Sequence, residues 1–270
     1  MEPVAPTHHH PPHQVAPDTW VVQQLQGEGG PFAVYVNSLV VKGREPVIVD
    51  TGTRANRLGW LADAFSLVDP DDVRWVFVSH DDADHVGNLV PVLEECSQAT
   101  LVASWQLVQR LTCEIDFPLE RVRWVNDGES FDAGDRTFTA VTPPLFDSPT
   151  TRGLFDHRTR VYWAADCFAT TVPSPALDVA DLDPAEWDDG FMLVNRLLSP
   201  WHVLVDDAKF HRLVDGVESL GISTVASAHS PAIHGEHVAK AFRKLRRLPY
   251  VGPAPLPVQA EPDLPRLLSA

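Results

Sequence analysis

Apolar positions along this chain switch repeatedly between a two-residue and a helical rhythm. Trp20–Gln26 and Phe32–Val41 mix apolar and polar positions with many β-branched residues, which predicts two strands joined by a turn at Gly27–Pro31. Pro46–Val49 predicts a short buried strand ending in Asp50-Thr51-Gly52, and Asn56–Leu67 carries apolar residues at helical spacing. Val73–Ser79 reads as a buried strand. Asp84–Glu95 reads as a helix with Val86, Leu89, Val90 and Leu93 on one face, kinked or weakened at Pro91. Strand Thr100–Ala103, helix Trp105–Leu111 and strand Arg121–Val125 follow. Between residues 128 and 165 the pattern predicts antiparallel strands at Phe131, Phe138–Val141, Leu154–Phe155 and Val161–Ala164. Helices over Phe191–Leu198 and Ala208–Leu220, strand Ile222–Ser227 and helix Glu236–Leu245 complete the series. Both halves carry strands and then helices, so the expected fold is a layered α/β arrangement of two facing mixed sheets with helices outside.

Composition sets the limits around this core. The chain has 270 residues, 44% of them hydrophobic, enough for one large domain with a sizeable interior. Residues 1–18 are rich in Pro and His and read as a disordered leader, 19–250 as the folded domain, and 251–270 as a Pro-rich tail. His8, His9, His10 and His13 fit a flexible polar segment better than a preorganised metal site. With 21 basic against 37 acidic residues the net charge is −16, which argues against nucleic acid or an anionic membrane as partner. The three widely spaced cysteines, Cys96, Cys113 and Cys167, and the absence of a signal-peptide pattern predict a reduced, cytoplasmic protein. No apolar run approaches the ~20 residues of a membrane-spanning helix.

The densest chemistry is His80-Asp81-Asp82-Ala83-Asp84-His85, placed where the strand Val73–Ser79 ends. On an extended turn, His80 and Asp82 face one way while Asp84 and His85 point elsewhere, so one loop can serve two neighbouring cations. The competing reading is a solvated acidic loop with Asp84 near a helix N-cap, which leaves the two histidines unexplained.

H-x-D-x-D-H after a buried strand resembles the metal-binding loop of the metallo-β-lactamase superfamily. The carboxylate at Asp82 makes it most similar to the flavodiiron proteins and their stand-alone oxygen-binding di-iron relatives, where Glu is usual. Val49–Gly52 resembles the signature whose Asp braces the metal loop. Tyr162–Phe168 resembles the strand ending in a metal-bridging Asp, Asn195–Pro200 a helix region of the flavodiiron core, and Ala226–Pro231 the last strand with its terminal His. The resemblance implies an αββα sandwich. It implies a first metal on His80, Asp82 and Asp166 and a second on Asp84, His85, Asp166 and His229, with Asp84 and Asp166 at the reacting centre. His229 is preferred over His234 as the last ligand. His157, His202 and His211 read as surface or packing residues. The family supplies one more His before the bridging Asp. Here Pro144 holds that position, leaving Asp147 or water to fill it. Arg152 stands either near a substrate anion or exposed in a hairpin approach.

Two divalent cations bridged by Asp166 could be iron, which the carboxylates and the resemblance favour, or zinc or manganese. Iron would give a protein reacting with dioxygen or nitric oxide. Residues 230–270 are too few for a flavin module, so electrons would come from a separate donor protein. Zinc would give a hydrolase of an ester, lactone, thioester, amide or phosphodiester acting through metal-bound hydroxide. A single structural metal would give a non-enzymatic sensor. The resemblance also implies head-to-tail pairing into a homodimer.

Overall fold

The computed structural model describes residues 8–28 and 33–255. The expected turn Gly27–Pro31 and strand start at Phe32 fall partly outside these residues, as do residues 1–7 and the tail beyond 255.

The first sheet contains β1 (His8–His9), β2 (His13–Ala16), β3 (Thr19–Gln26), β4 (Val34–Val41), β5 (Val47–Val49), β6 (Trp75–Phe77), β7 (Thr100–Ala103) and β8 (Val122–Trp124). Its order is β1-β3-β4-β5-β6-β7-β8, with β2 also paired to β3. The antiparallel β3–β4 ladder runs from Thr19 opposite Val41 to Gln26 opposite Val34, and β5 to β8 run parallel. The second sheet contains β9 (Ser130–Asp132), β10 (Thr137–Val141), β11 (Gly153–Asp156), β12 (Val161–Trp163), β13 (Thr224–Ala226) and β14 (Ile233–His234). Its order is β14-β13-β12-β11-β10-β9, and within it β12 and β13 are parallel.

Alternation along the strands creates the layers. Val21, Leu39, Val49 and Phe77 point inward to meet Phe138, Leu154, Val161 and Trp163 of the second sheet. Their neighbours Val22, Val40, Ile48 and Val76 point outward under α1 (Arg57–Leu67), α2 (Leu89–Glu95) and α3 (Trp105–Leu111). On the far side, α4 (Pro184–Leu198), α5 (Asp207–Glu218) and α6 (Glu236–Leu245) bury Trp187, Phe191, Phe210, Val214 and Phe242 against the second sheet. The result is the expected αββα sandwich.

Three expectations change. The leader is ordered from residue 8, because β2 pairs with β3 and Val15 enters the core between the sheets. The helix expected from Asp84 begins at Leu89, since residues 84–88 form turns, with His85 N–H and Val86 N–H both donating to the Asp82 carbonyl. Pro91 therefore lies in the first helical turn, where its missing N–H costs nothing. Finally, α4 starts seven residues before Phe191, on the Asp183 cap and Pro184.

Parallel neighbours direct their carboxyl ends to one edge of each sheet. Asp50 follows β5, the 80–85 loop follows β6, Asp166 follows β12 and His229 follows β13. This edge is where open α/β sheets gather ligands.

Candidate metal centre

The 80–85 loop is held by fully buried groups beneath it. Asp50 Oδ1 accepts from Ser79 N–H at 2.7 Å. Its Oδ2 accepts from Ser79 Oγ at 2.7 Å and from Trp163 Nε1 at 3.0 Å, and lies 2.9 Å from His85 Nδ1. Asp50 adopts φ 57°, a left-handed conformation unusual outside glycine, as does Ala165 at φ 49° beside Asp166. Thr51 N–H and Oγ1 both donate to the His85 carbonyl, at 2.7 and 2.8 Å. Gly87 is required for closure, because a Cβ there would lie 2.4 Å from the Gly52 carbonyl and 2.6 Å from Arg54 N.

From the second sheet, Asp166 and His229 arrive on loops pinned by amides. Asn195 Oδ1 accepts from Phe168 N–H at 3.1 Å, and its Nδ2 donates to the Ala169 carbonyl at 2.8 Å. Asn37 of β4 reaches across to donate to the carbonyls of Ser227 and Ser230, at 2.9 and 2.8 Å. His229 Nδ1 donates to the Tyr35 carbonyl at 2.7 Å, so its Nε2 is turned into the cluster. His85 is turned the same way by Asp50.

The two oxygens of Asp166 face different histidines. Oδ1 lies 3.0 Å from His85 Nε2 and 3.4 Å from His229 Nε2, whereas Oδ2 lies 3.5 Å from His80 Nε2. Asp84 lies 3.5 Å from His229 Nε2 and 3.9 Å from His85 Nε2. Asp147 lies 3.9 Å from His80 Nε2. Among the described residues, three sets of donor atoms fall within 4.8 Å of one another: His80, His85 and Asp166; Asp84, His85 and His229; His80, Asp82 and Asp147. Among the described residues, His80 Nε2, His85 Nε2 and Asp166 Oδ1 are buried and complete no well-aligned hydrogen bond, although the last two lie 3.0 Å apart. Buried polar atoms are normally paired, and imidazole and carboxylate atoms converging in this way fit a pair of metal ions.

The charges in this cluster act on one another at close range. Burial works to raise Asp166, but the histidines at 80, 229 and 85 hold its carboxyl well below the usual range. Burial opposes charging of His229, yet Asp166 and Asp84 raise it to about 9. Asp82 is pushed up by burial, reinforced by the neighbouring carboxylates of Asp147, Asp166 and Asp84. Burial likewise raises Asp147, together with the charge of Asp166. A bound cation reverses these penalties on the carboxylates.

A family model described as ODP family beta lactamase matches residues 34–229, more than half of the chain. The chain belongs to this family. Among curated relatives of this ODP-family chain, an uncharacterized protein of Methanocaldococcus jannaschii is 22% identical over 225 residues, covering 83% of this chain and 56% of that protein. The putative diflavin flavoprotein A 1 of Nostoc is 24% identical over 201 residues, covering 73% of this chain and 33% of that one. The chain thus spans well under two thirds of these relatives. Among solved structures, the flavodiiron protein from Giardia intestinalis superposes with TM-score 0.77 at 16% identity, covering 90% of this chain and 60% of that one. The 1–254 fragment of putative diflavin flavoprotein A 5 from Nostoc gives TM-score 0.71 at 16% identity, covering 91% and 98%. The fold is that of the flavodiiron core.

The structure of this ODP-family chain brings together His80, Asp82, Asp84, His85, Asp147, Asp166 and His229. The other weighed residues lie elsewhere. His234 sits between Asp178 and the Val15 carbonyl, and His157 bonds Thr139. His202 bonds the Ser199 carbonyl, and His211 the Arg246 carbonyl. Arg152 directs Nη1 to the Thr151 carbonyl of its own loop at 2.6 Å. Pro144 is buried beside Leu145. Sequence reasoning missed Ser79, Trp163, Tyr35 and Asn37. The last two act on their targets across sequence separations of 194 and 190 residues, with no local pattern to mark them.

Proposed function

We propose that this protein carries a dinuclear iron centre that reacts with dioxygen or nitric oxide, with electrons supplied by a separate donor protein. His80, Asp82, Asp147 and Asp166 would hold the first ion, and Asp84, His85, His229 and Asp166 the second, with Asp166 common to both. The observation that carries the reading is the split of Asp166 between two sets of imidazoles, amid buried donor atoms that complete no well-aligned hydrogen bond among the described residues. The solved flavodiiron structures that share the fold add support.

Iron bound here would supply binding positions for the diatomic molecule and would pass on electrons received from the donor protein. The chain's own residues set the conditions. Asp50 and the Tyr35 carbonyl keep the Nδ1 atoms of His85 and His229 protonated, leaving Nε2 free as donor. Asp84, 31% exposed, stands on the solvent side of the second position beside the incoming substrate. Trp163 Nε1 and Ser79 fix the orientation of the bracing Asp50 carboxylate. All three cysteines are free thiols, which supports a reducing, cytoplasmic setting. No helix among the described residues is long and apolar enough to cross a membrane.

The test is anaerobic purification without added metal or affinity tag, followed by elemental analysis and ultraviolet absorption before and after oxygen. About two iron ions per chain and a spectrum that changes on oxygenation are expected. Iron-loaded protein inert to oxygen and nitric oxide, or zinc-loaded protein that cleaves a thioester or lactone, would overturn the reading.

A further inference from the structure

The two positions differ in donor set. The first gathers one imidazole, His80, with the carboxylates of Asp82, Asp147 and Asp166 Oδ2. The second gathers two imidazoles, His85 and His229, with Asp84 and Asp166 Oδ1.

They also differ in rigidity and access. In the second position both imidazoles are locked from behind, His85 by the Asp50 carboxylate at 2.9 Å and His229 by the Tyr35 carbonyl at 2.7 Å. In the first, His80 Nδ1 meets the Ser79 hydroxyl at 3.0 Å, and that hydroxyl already serves Asp50. Asp82 is exposed and Asp147 is 19% exposed. The Asp147 side chain meets Thr151 Oγ1 of its own loop at 3.5 Å and the carboxyl of the exposed Asp82. Imidazole-rich sites suit iron and zinc, whereas carboxylate and water suit manganese. Locked donors bind more tightly than loose ones, typically by about 10–100-fold.

We infer that the two positions are unequal. The second binds its ion first and tightly, and the first is a weaker, oxygen-dominated position where a hard divalent cation such as Mn2+ competes with iron, with Asp147 setting that competition. This rests on the dinuclear reading above and specifies how firmly each half of it holds its ion. Together Asp82, Asp84, Asp147 and Asp166 carry four negative charges when ionised, which two divalent cations neutralise.

The experiment uses the full chain, stripped by chelator under nitrogen and given one equivalent of Fe2+. It is then titrated with Mn2+, free Mn2+ being read by its electron paramagnetic resonance signal and bound metal by elemental analysis after desalting. One Mn2+ bound per chain alongside retained Fe2+ is expected. Asp147→Asn should weaken that Mn2+ by about tenfold or more and leave the Fe2+ in place. Asp147→His should reverse the order, so that Zn2+ displaces Mn2+ from the first position at about tenfold lower concentration than in the wild type. Melting curves of the metal-free variants that match wild type exclude misfolding. Two ions of one element bound with equal affinity would overturn the inference while leaving the dinuclear reading intact. So would Asp147 variants with unchanged Mn2+ affinity. A chain that binds no second ion would sink both.

Discussion

Asp50 shows how much one side chain outside the donor set can decide. Its two oxygens serve Ser79, His85 and Trp163 at once, in a left-handed backbone conformation. Asp50→Ala removes every one of these acceptors and frees the His85 ring. Metal affinity should fall about 10–100-fold, measured by competition with a chromophoric chelator, while a retained affinity would show the ring is fixed by other means. Gly87→Ala addresses the same loop through sterics. The added methyl would overlap the Gly52 carbonyl at 2.4 Å, so the variant should lose both metal and stability. Equal melting temperatures for variant and wild type would contradict the close approach.

Elements show which signals sequence carries and which it hides. The helix α4 rests on Asp183, whose Oδ1 accepts from Ala185 N–H at 2.8 Å, with Pro184 in the first turn and Glu186 near the positive end. Asp183→Ala should cost about 0.5–2 kcal/mol in denaturant unfolding, with the slope unchanged. That cap, Pro and Glu signature was readable before the structure, yet the apolar spacing drew attention to Phe191. Conversely, Val86 fits a helical stripe but belongs to a turn, because the backbone around His85 is committed to Thr51 and Asp82. The inner strands were legible because burial on both faces makes them short, nearly continuous apolar runs. The strand β2 was not, because Pro and His composition masks a pairing that depends on β3. Within β2, His13 is half-buried with both ring nitrogens unpartnered among the described residues, and desolvation, with the charge of His234, lowers it from 6.5 to about 4. The unfolded chain therefore takes up this proton first as pH falls. Stability at this residue is unaffected above 6.5 and is lost progressively down to about 4. His13→Leu should flatten the decline of melting temperature across that window, and parallel profiles for the two proteins would contradict the assignment.

At the scale of the whole molecule, the donors divide between the layers. His80, Asp82, Asp84 and His85 come from the first sheet, and Asp147, Asp166 and His229 from the second. The candidate loop was legible as a motif because its donors are neighbours in sequence. Asp147 was only half legible, since its approach depends on how the β10–β11 connection packs. Crowded carboxylates oppose folding until cations arrive, so metal should raise the melting temperature strongly. A free-ion concentration about a thousand times Kd is worth about 4 kcal/mol. Chelator should reverse the gain in differential scanning, and an unchanged transition would argue against tight binding in the folded state.

Tyr35 and Asn37 stand two residues apart on strand β4, and both grip the opposite sheet next to residue 229. The centre is consequently a seam between two halves of the sandwich. If those layers drift apart, the bridging carboxylate parts from the loop opposite, and any visible colour of the cations bleaches before the helices melt. Absorbance on heating would then report the earliest opening of the protein, ahead of circular dichroism.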